Sequence, residues 1–163
     1  MHSVLFVCTA NMCRSPMAEI LFGEIVRNEG ETEDWWIDSA GVSAFDGEQA
    51  TNNTRLVADE RGLDLKSHRS KLTSRAVVEP FSLVLVMEKR HRVMLSEAFP
   101  ELSDRIYLLK EMIGGTEDVH DPIGTDIANY RAMADEVNSA LTEGLDRIRE
   151  LAGNENDEAH KGA

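Results

Sequence analysis

The feature that most constrains the fold is a regular alternation of strand-like and helix-like segments along the 163 residues. Residues 4–8 (VLFVC) and 82–87 (SLVLVM) are nearly continuous apolar runs, a pattern typical of strands buried on both faces of a sheet. Two shorter segments, residues 35–39 and 105–109 (RIYLL), also have strand character. Because helical segments separate the four strands, the sequence predicts an α/β fold with a four-stranded parallel sheet and helices on both faces.

Five helical segments lie between or after these strands. We expect helices over residues 15–29, 48–61, 88–98 and 126–151, and a short one that Thr73 caps and Pro80 ends. Ser15 is a suitable cap for the first helix, and Pro16 suits its first turn. We expect residues 1–151 to form one domain. Residues 152–163 (AGNENDEAHKGA) have no apolar periodicity and are predicted to be a disordered tail.

Charge and cysteine content limit the kinds of partner and compartment. The chain has 17 Lys and Arg against 30 Asp and Glu, which gives a net charge of −13. That balance opposes binding to nucleic acid or to an anionic membrane surface, since both require positive charge. The opening residues, MHSVLFVC, are too short and too weakly basic for a secretory signal, and two cysteines are too few for a disulfide scaffold. We therefore expect a cytoplasmic protein.

The residues that carry chemistry follow the first strand. From Cys8 to Ser15 the chain reads Cys-Thr-Ala-Asn-Met-Cys-Arg-Ser, at the carboxyl end of a parallel strand, where ligands bind in sheets of this kind. A loop of this length can turn its backbone N–H groups toward one centre, and the following helix N-terminus adds positive potential there. The guanidinium of Arg14 matches two oxygens of a phosphate. The sequence therefore predicts a site for a tetrahedral oxyanion beside Cys8.

The same positive field favours the thiolate form of Cys8, so we expect a nucleophilic sulfur beside the bound oxyanion. Ser15 is placed to donate a hydrogen bond to that sulfur. The ordinary alternative for Cys8 is a buried core thiol. Cys8 and Cys13 supply only two ligands, and no suitably spaced His or Cys pair follows, so we expect no metal site. The sequence also lacks the Gly-rich loop with its Lys that nucleoside triphosphatases use.

At this point the chain resembles a known family. Residues 4–19 (VLFVCTANMCRSPMAE) are similar to the signature of the low-molecular-weight protein-tyrosine phosphatases. The resemblance runs from the first strand to the final helix and includes residues 38–41 (DSAG), the region around His68, and Asp121-Pro122. It implies a flavodoxin-like three-layer α/β/α fold and a phosphatase domain over residues 1–151. It also implies a cofactor-free enzyme that hydrolyses phosphorylated proteins and binds inorganic phosphate.

The resemblance further implies roles for individual residues. Cys8 would be the nucleophile, Arg14 the phosphate-binding cation, and Asp121 the general acid and base. Cys13 would protect an oxidised Cys8 by forming a disulfide, the alternative being an inert small hydrophobic residue. The remaining implied positions are Thr9, Ala10, Asn11, Met12, Cys13 and Ser15 in the phosphate-binding loop, Ser39 and His68 as its support, and Phe45 and Ile123 as walls of the substrate slot.

Two positions carry expectations of their own. The family usually has Gly where this chain has Ala10, so we expect the loop geometry to differ slightly. His91 lies within Lys-Arg-His-Arg and is most simply interpreted as part of a solvated helix face.

The substrate stays open between phosphotyrosine and phosphoarginine. Ile123 and Gly124 after Asp121-Pro122 are similar to bacterial relatives that include arginine phosphatases. Those enzymes have Thr at the position of Met12, whereas an apolar residue there resembles the tyrosine phosphatases and suits a phenyl ring. Phosphotyrosine is therefore the first choice. Two other functions remain as alternatives: an arsenate reductase, which would need two further cysteines, and a non-catalytic phosphate-binding module.

Overall fold

The computed structural model describes the backbone of residues 1–161 and the side chains of residues 1–153. Its sheet consists of four parallel strands, which are β1 (His2–Cys8), β2 (Trp35–Gly41), β3 (Leu83–Val86) and β4 (Ile106–Leu108). The strand order is β2-β1-β3-β4. The predicted parallel sheet is confirmed, and each strand overlaps the segment from which it was predicted.

The helices follow the predicted order with shifted ends. Within the described residues they are α1 (Arg14–Asn28), α2 (Asn52–Glu60), α3 (Arg75–Val78), α4 (Lys89–Ala98), α5 (Ile127–Glu143) and α6 (Leu145–Lys161). Short 3₁₀ turns cover Thr32–Asp34, Pro100–Arg105 and Leu109–Ile113.

Alternate residues of the central strands face two separate apolar cores. Phe6 and Leu85 belong to a core that also contains residues of α1, α2, α5 and α6. Leu5 and Val84 belong to a second core, which is shared with α3 and α4. Helices therefore cover both faces of the sheet, which confirms the three-layer α/β/α fold and explains why residues 4–8 of β1 and all of β3 are apolar.

The starts of two helices differ from the prediction in the residue at the cap position. The cap of α1 is Cys13, which makes no side-chain capping bond. Ser15 instead lies inside the first turn, where its hydroxyl meets Asn11 Nδ2 at 2.8 Å. Ser74, rather than Thr73, caps α3 by accepting a hydrogen bond from the backbone N–H of Val77 at 3.3 Å.

The predicted final helix is in fact two helices, and it runs past its expected end. The break falls at Gly144, where a Cβ atom would lie 2.7 Å from Met112 Cβ and from the carbonyl oxygen of Ala140. Beyond it, α6 continues to Lys161, past the end predicted for the last helix. The disordered tail expected over residues 152–163 stays a prediction. Ala152, one residue past the predicted end, is fully buried in the core. Residues 162 and 163 of the predicted tail lie outside the described residues.

The parallel sheet brings the candidate site residues to one edge. Cys8 ends β1, Glu88 follows β3, and Asp121 lies on the segment between β4 and α5. Because the carboxyl ends of parallel strands share an edge, these residues converge there. No helix in the described part of the chain is long and apolar enough to cross a membrane.

Candidate active site

The loop of residues 9–13 joins β1 to α1 and is tied to its surroundings by backbone hydrogen bonds. The N–H groups of Val42 and Ser43 donate to the carbonyls of Cys8 and Thr9 at 3.0 and 2.9 Å, and Thr51 N–H donates to Met12 at 3.0 Å. The loop thus uses its carbonyl groups for support. Its own N–H groups at residues 9–13 have no acceptor among the described residues, which is the arrangement of an anion-binding nest.

Asn11 shapes this loop. It is the one non-glycine residue with positive φ (58°) in the described chain, a conformation that Asn tolerates better than most residues. Ala10 does not have a positive φ and so does not need the backbone freedom of glycine. The slight difference in loop geometry expected from its methyl group stays a prediction. The strain at Asn11 is offset by hydrogen bonds from every part of its amide.

The predicted support residues meet at Asn11. Its Nδ2 donates to Ser15 Oγ at 2.8 Å and to Ser39 Oγ at 3.0 Å. Its Oδ1 accepts from the N–H of Lys71 at 3.0 Å, and its carbonyl accepts from His68 Nε2 at 2.7 Å. Burial lowers the pKa of His68, which favours the neutral ring. Nε2 carries the donated hydrogen, because a carbonyl oxygen can only accept.

Gly41 is a further requirement of the loop, and it lies at the end of β2. A Cβ atom there would stand 2.5 Å from the Thr9 carbonyl oxygen and 2.8 Å from Asn11 N. Only glycine lets the two backbones approach this closely.

Cys8 is buried at the base of the loop, and its Sγ lies 3.0 Å from Ser15 Oγ. Since Asn11 Nδ2 can only donate, Ser15 Oγ is the acceptor in that bond. The Ser15 hydroxyl hydrogen is then free to point at Cys8 Sγ or at the Ala40 carbonyl, which is 3.4 Å away. The arrangement suits a sulfur that accepts a hydrogen bond.

Arg14 is fully buried although it is charged, and its guanidinium is held from two sides. Nη1 donates to Glu88 Oε2 at 2.8 Å and to the Val119 carbonyl at 2.7 Å. Nη2 lies 3.3 Å from Thr9 Oγ1 and 3.5 Å from Asp121 Oδ2. Its Nε is buried and has no partner among the described residues, so this edge retains a donor for an oxyanion.

Asp121 lines the same cleft from the segment between β4 and α5. Its Oδ1 accepts from the N–H of Ile123 at 3.1 Å, which fixes the carboxyl in a short turn. The cleft is lined by Cys8, Ala10, Met12, Cys13, Arg14, Asp121 and Ile123. The structure thus brings together the three predicted reactive groups and one predicted wall.

Phe45 is 82% exposed and does not line this cleft. Its backbone carbonyl accepts a hydrogen bond from Ser70, so the loop that carries it is anchored while its ring is free to meet a substrate.

Cys13 is buried at the end of the loop. Its Sγ lies 3.5 Å from Thr51 Oγ1, and burial raises the pKa of its thiol. Cys8 and Cys13 are both free cysteines. Among the described residues, no group of three or more His, Cys, Asp or Glu side chains is arranged to hold a metal ion.

Sequence reasoning missed three residues around this site. Glu88 pairs with Arg14, and Glu19 accepts from Ser39 Oγ at 2.6 Å. Burial raises the pKa of Glu19. His91 is not solvated as expected but fully buried against Thr9. The charged residues around His91 hid this contact, and only its spacing of three from Glu88 offered a signal.

Acid should destabilise the fold through His91. Burial, reinforced by the nearby charge of Arg14, lowers the pKa of His91 from 6.5 to about 4. Between these two values His91 is protonated in the unfolded chain but not in the folded chain. The free energy of unfolding therefore falls as the pH is lowered from 6.5 to about 4. We expect His91 to contribute about 3 kcal/mol of this loss. Denaturant unfolding at pH 7 and pH 4 measures this loss of stability. His91→Asn should remove the part that is due to His91 and leave the part that is due to the carboxylates and His68. An identical pH dependence in the variant would contradict the assignment.

The comparisons with known proteins agree with this geometry. A sequence model of the family described as low molecular weight phosphotyrosine protein phosphatase matches residues 3–154. A protein-arginine-phosphatase of Geobacillus stearothermophilus is 35% identical over 150 residues, which cover 91% of this chain and 95% of that protein. The low molecular weight protein-tyrosine-phosphatase Wzb of Escherichia coli K12 is 36% identical over 107 residues, 66% of this chain and 69% of Wzb.

Solved structures give the same result. The low molecular weight protein tyrosine phosphatase from T. tengcongensis has a TM-score of 0.85 and 36% identity, covering 90% of this chain and 99% of that one. A cysteine-to-serine mutant of the arginine phosphatase YwlE, with a phosphorylated active-site serine, has a TM-score of 0.85 and 32% identity, covering 94% of this chain and 98% of that one.

Fold and cleft together define a cysteine-based phosphatase, a hydrolase of phosphorylated proteins. The chain belongs to the low molecular weight protein-tyrosine phosphatase family, because the family match covers nearly its whole length. The resemblance found in the sequence is thereby confirmed.

Proposed function

We propose that this chain hydrolyses phosphotyrosine in proteins through a phosphocysteine intermediate on Cys8. One observation carries the proposal, which is the set of hydrogen-bond donors around Cys8. Within the described residues, the backbone N–H groups of residues 9–13 and the buried Nε of Arg14 are unpaired. The hydroxyl group of Ser15 can stabilise the Cys8 sulfur. These donors match the oxygens of a phosphoryl group and also favour the thiolate. A module that only binds phosphate would need neither the thiol nor a carboxyl group across the cleft.

In the first step the Cys8 thiolate attacks phosphorus. A sulfur–phosphorus bond forms, the bond from phosphorus to the tyrosine oxygen breaks, and protonated Asp121 gives its proton to the departing phenolate. Arg14 and the loop N–H groups hold the three peripheral oxygens as the group is transferred.

In the second step water attacks the phosphocysteine. The Asp121 carboxylate accepts a proton from that water, the sulfur–phosphorus bond breaks, and its electron pair returns to Cys8 as thiolate. Ser15 Oγ, 3.0 Å from Cys8 Sγ, stabilises the departing sulfur by donating a hydrogen bond. Inorganic phosphate is released.

Asp121→Asn tests the acid role. The amide cannot give a proton to the leaving group, so hydrolysis of an alkyl or unsubstituted phenyl phosphate should fall about 10²- to 10³-fold. An aryl phosphate with a strongly acidic phenol needs little protonation and should lose much less. The kcat values for a series of leaving groups measure this. Equal slowing across the series would show that Asp121 is structural.

The apolar lining of the cleft favours phosphotyrosine. Met12, Ala10 and Ile123 present carbon to the substrate, which suits a phenyl ring and leaves the polar edges of a guanidinium without partners. Phosphoarginine is the second candidate, supported by the names of the relatives from Geobacillus stearothermophilus and Bacillus subtilis.

Matched peptides that differ only in phosphotyrosine or phosphoarginine separate the two substrates. We expect a higher kcat/KM on phosphotyrosine, and we expect Met12→Thr to shift the ratio toward phosphoarginine by supplying a hydroxyl group. A higher kcat/KM on phosphoarginine in the unchanged protein would overturn the choice.

We also propose that Cys13 protects Cys8 from oxidation. Peroxide converts the Cys8 thiolate to a sulfenic acid, and the Cys13 thiol then forms a disulfide with it and releases water. Both cysteines line the same cleft. Activity recovered by dithiothreitol after peroxide treatment, relative to each protein's starting activity, should be high in the unchanged protein and low in Cys13→Ser. Equal recovery would contradict this role.

We propose a cytoplasmic location, because both thiols are free and the nucleophile must stay reduced. Phosphorylated proteins of that compartment would be the substrates.

A further inference from the structure

The imidazole of His91 joins α4 to the phosphate-binding loop. Its Nδ1 accepts a hydrogen bond from the backbone N–H of Glu88 at 3.1 Å, and its Nε2 lies 2.9 Å from Thr9 Oγ1. A neutral ring carries one hydrogen, and an accepting Nδ1 puts that hydrogen on Nε2. Nε2 therefore donates to the Thr9 hydroxyl. The ring is fully buried, and its pKa of about 4 keeps it neutral at pH 7.

The Thr9 oxygen lies within hydrogen-bond reach of three donors, of which its two lone pairs accept two at a time. Besides His91, these donors are the Nη2 atoms of Arg14 and Arg90. The same two guanidinium groups share Glu88 Oε2, at 2.8 and 3.3 Å. A protonated His91 would add a third positive charge to this group. A neutral ring that donates is thus the form that fixes the Thr9 oxygen without repelling Arg14.

The contacts of Arg14 divide between its two terminal nitrogens. Glu88 and the Val119 carbonyl hold Nη1 at 2.8 and 2.7 Å. Thr9 Oγ1 is the hydrogen-bond acceptor for Nη2 at 3.3 Å. The plane of a guanidinium is defined once both ends are held, and that plane decides whether two N–H groups reach two phosphate oxygens together.

We propose that His91 is a positioning residue that sets the orientation of the Arg14 guanidinium through the hydroxyl group of Thr9. This rests on the proposed role of Arg14 in binding the phosphoryl group. The competing interpretation is structural: His91 would serve only to accept the N–H of Glu88 at the start of α4.

Two substitutions of His91 separate these interpretations. In His91→Asn the amide oxygen can take the place of Nδ1, so the contact with Glu88 is kept while the donor to Thr9 is lost. In His91→Gln the longer amide can place a donor where Nε2 was. We expect kcat/KM on an aryl phosphate to fall about fivefold to tenfold in His91→Asn and to be largely restored in His91→Gln. If His91 only caps α4, kcat/KM should fall in His91→Gln and be retained in His91→Asn. That result would overturn the proposal.

Thr9 provides the matching half of the test. In Thr9→Val, kcat/KM on the aryl phosphate should fall as much as in His91→Asn, whereas in Thr9→Ser it should fall little. When Thr9→Val and His91→Asn are combined, kcat/KM should fall no further than in either single variant. Losses that multiply in the double variant would overturn the proposal. Val93→Gln, at an exposed position on the same helix, controls for general effects on α4.

Two measurements do not depend on turnover. The Kd for inorganic phosphate should rise across the variants in the same order as kcat/KM falls. Because this measurement needs no turnover, an unchanged protein that fails to hydrolyse the substrate would defeat the proposed function without deciding this inference. Nitrogen NMR of the His91 ring in the unchanged protein should show hydrogen on Nε2 at neutral pH. The opposite tautomer would overturn the inference even if the His91 variants fail to fold.

Discussion

Cys8→Ser should abolish turnover while leaving phosphate binding intact. A serine hydroxyl is not ionised near neutral pH, so the loop would contain no nucleophile, and we expect kcat on an aryl phosphate to fall more than about 10⁴-fold. The loop N–H groups and Arg14 are unchanged, and removing the thiolate also removes its repulsion of a phosphate dianion. Phosphate should therefore bind at least as tightly as before.

Binding and turnover are measured on the same preparation, by calorimetry with inorganic phosphate and by product release. Retained binding is the internal control, since it shows that the loop is folded. Turnover within tenfold of the unchanged protein would contradict the role of Cys8 as nucleophile. Loss of phosphate binding together with turnover would show that Cys8 is required for the loop itself rather than for chemistry.

Arg14→Lys should be nearly as damaging although the charge is kept. Arg14 holds Glu88 and the Val119 carbonyl with Nη1 and contacts Thr9 with Nη2. An ammonium group has no planar fork and cannot keep these contacts while presenting two N–H groups to a phosphate. We expect kcat/KM on an aryl phosphate to fall at least about 10²- to 10³-fold.

Arg92→Lys is the matched control for that change. Arg92 lies on α4 and pairs with Glu111 at 2.7 Å near the surface, where a lysine can replace it at little cost. The control should retain kcat/KM within about twofold. A loss below tenfold in Arg14→Lys would contradict bidentate phosphate binding by Arg14.

Local sequence was enough for the parts of the fold that depend on pattern. The continuous apolar runs of β1 and β3 indicate strands buried on both faces, because no polar face is available to point at water. Pattern was insufficient where one residue decides an element's end. Gly144 divides the last helix because Met112, distant in sequence, approaches its Cα too closely for a side chain.

The candidate site divides in a similar way. Cys8, Arg14 and Ser15 lie within one loop and one helical turn, so their proximity follows from spacing alone. Asp121 could be connected to them only through the resemblance, since more than a hundred residues separate it from Cys8. His91 and Glu88 were beyond either approach, because their charged neighbours are typical of a solvated helix.

The sequence by itself determined the alternation of strands and helices, the position of the thiol at a strand end, and the family to which the chain belongs. These are local properties, set by periodicity and by residues that are close in the chain. Only the tertiary structure decided which ring nitrogen of His68 and of His91 carries the donated hydrogen, which carboxylate holds Arg14, and why Gly41 must lack a side chain. Those features arise where segments distant in sequence pack against each other, and burial there changes protonation and restricts the partners that each polar atom can reach.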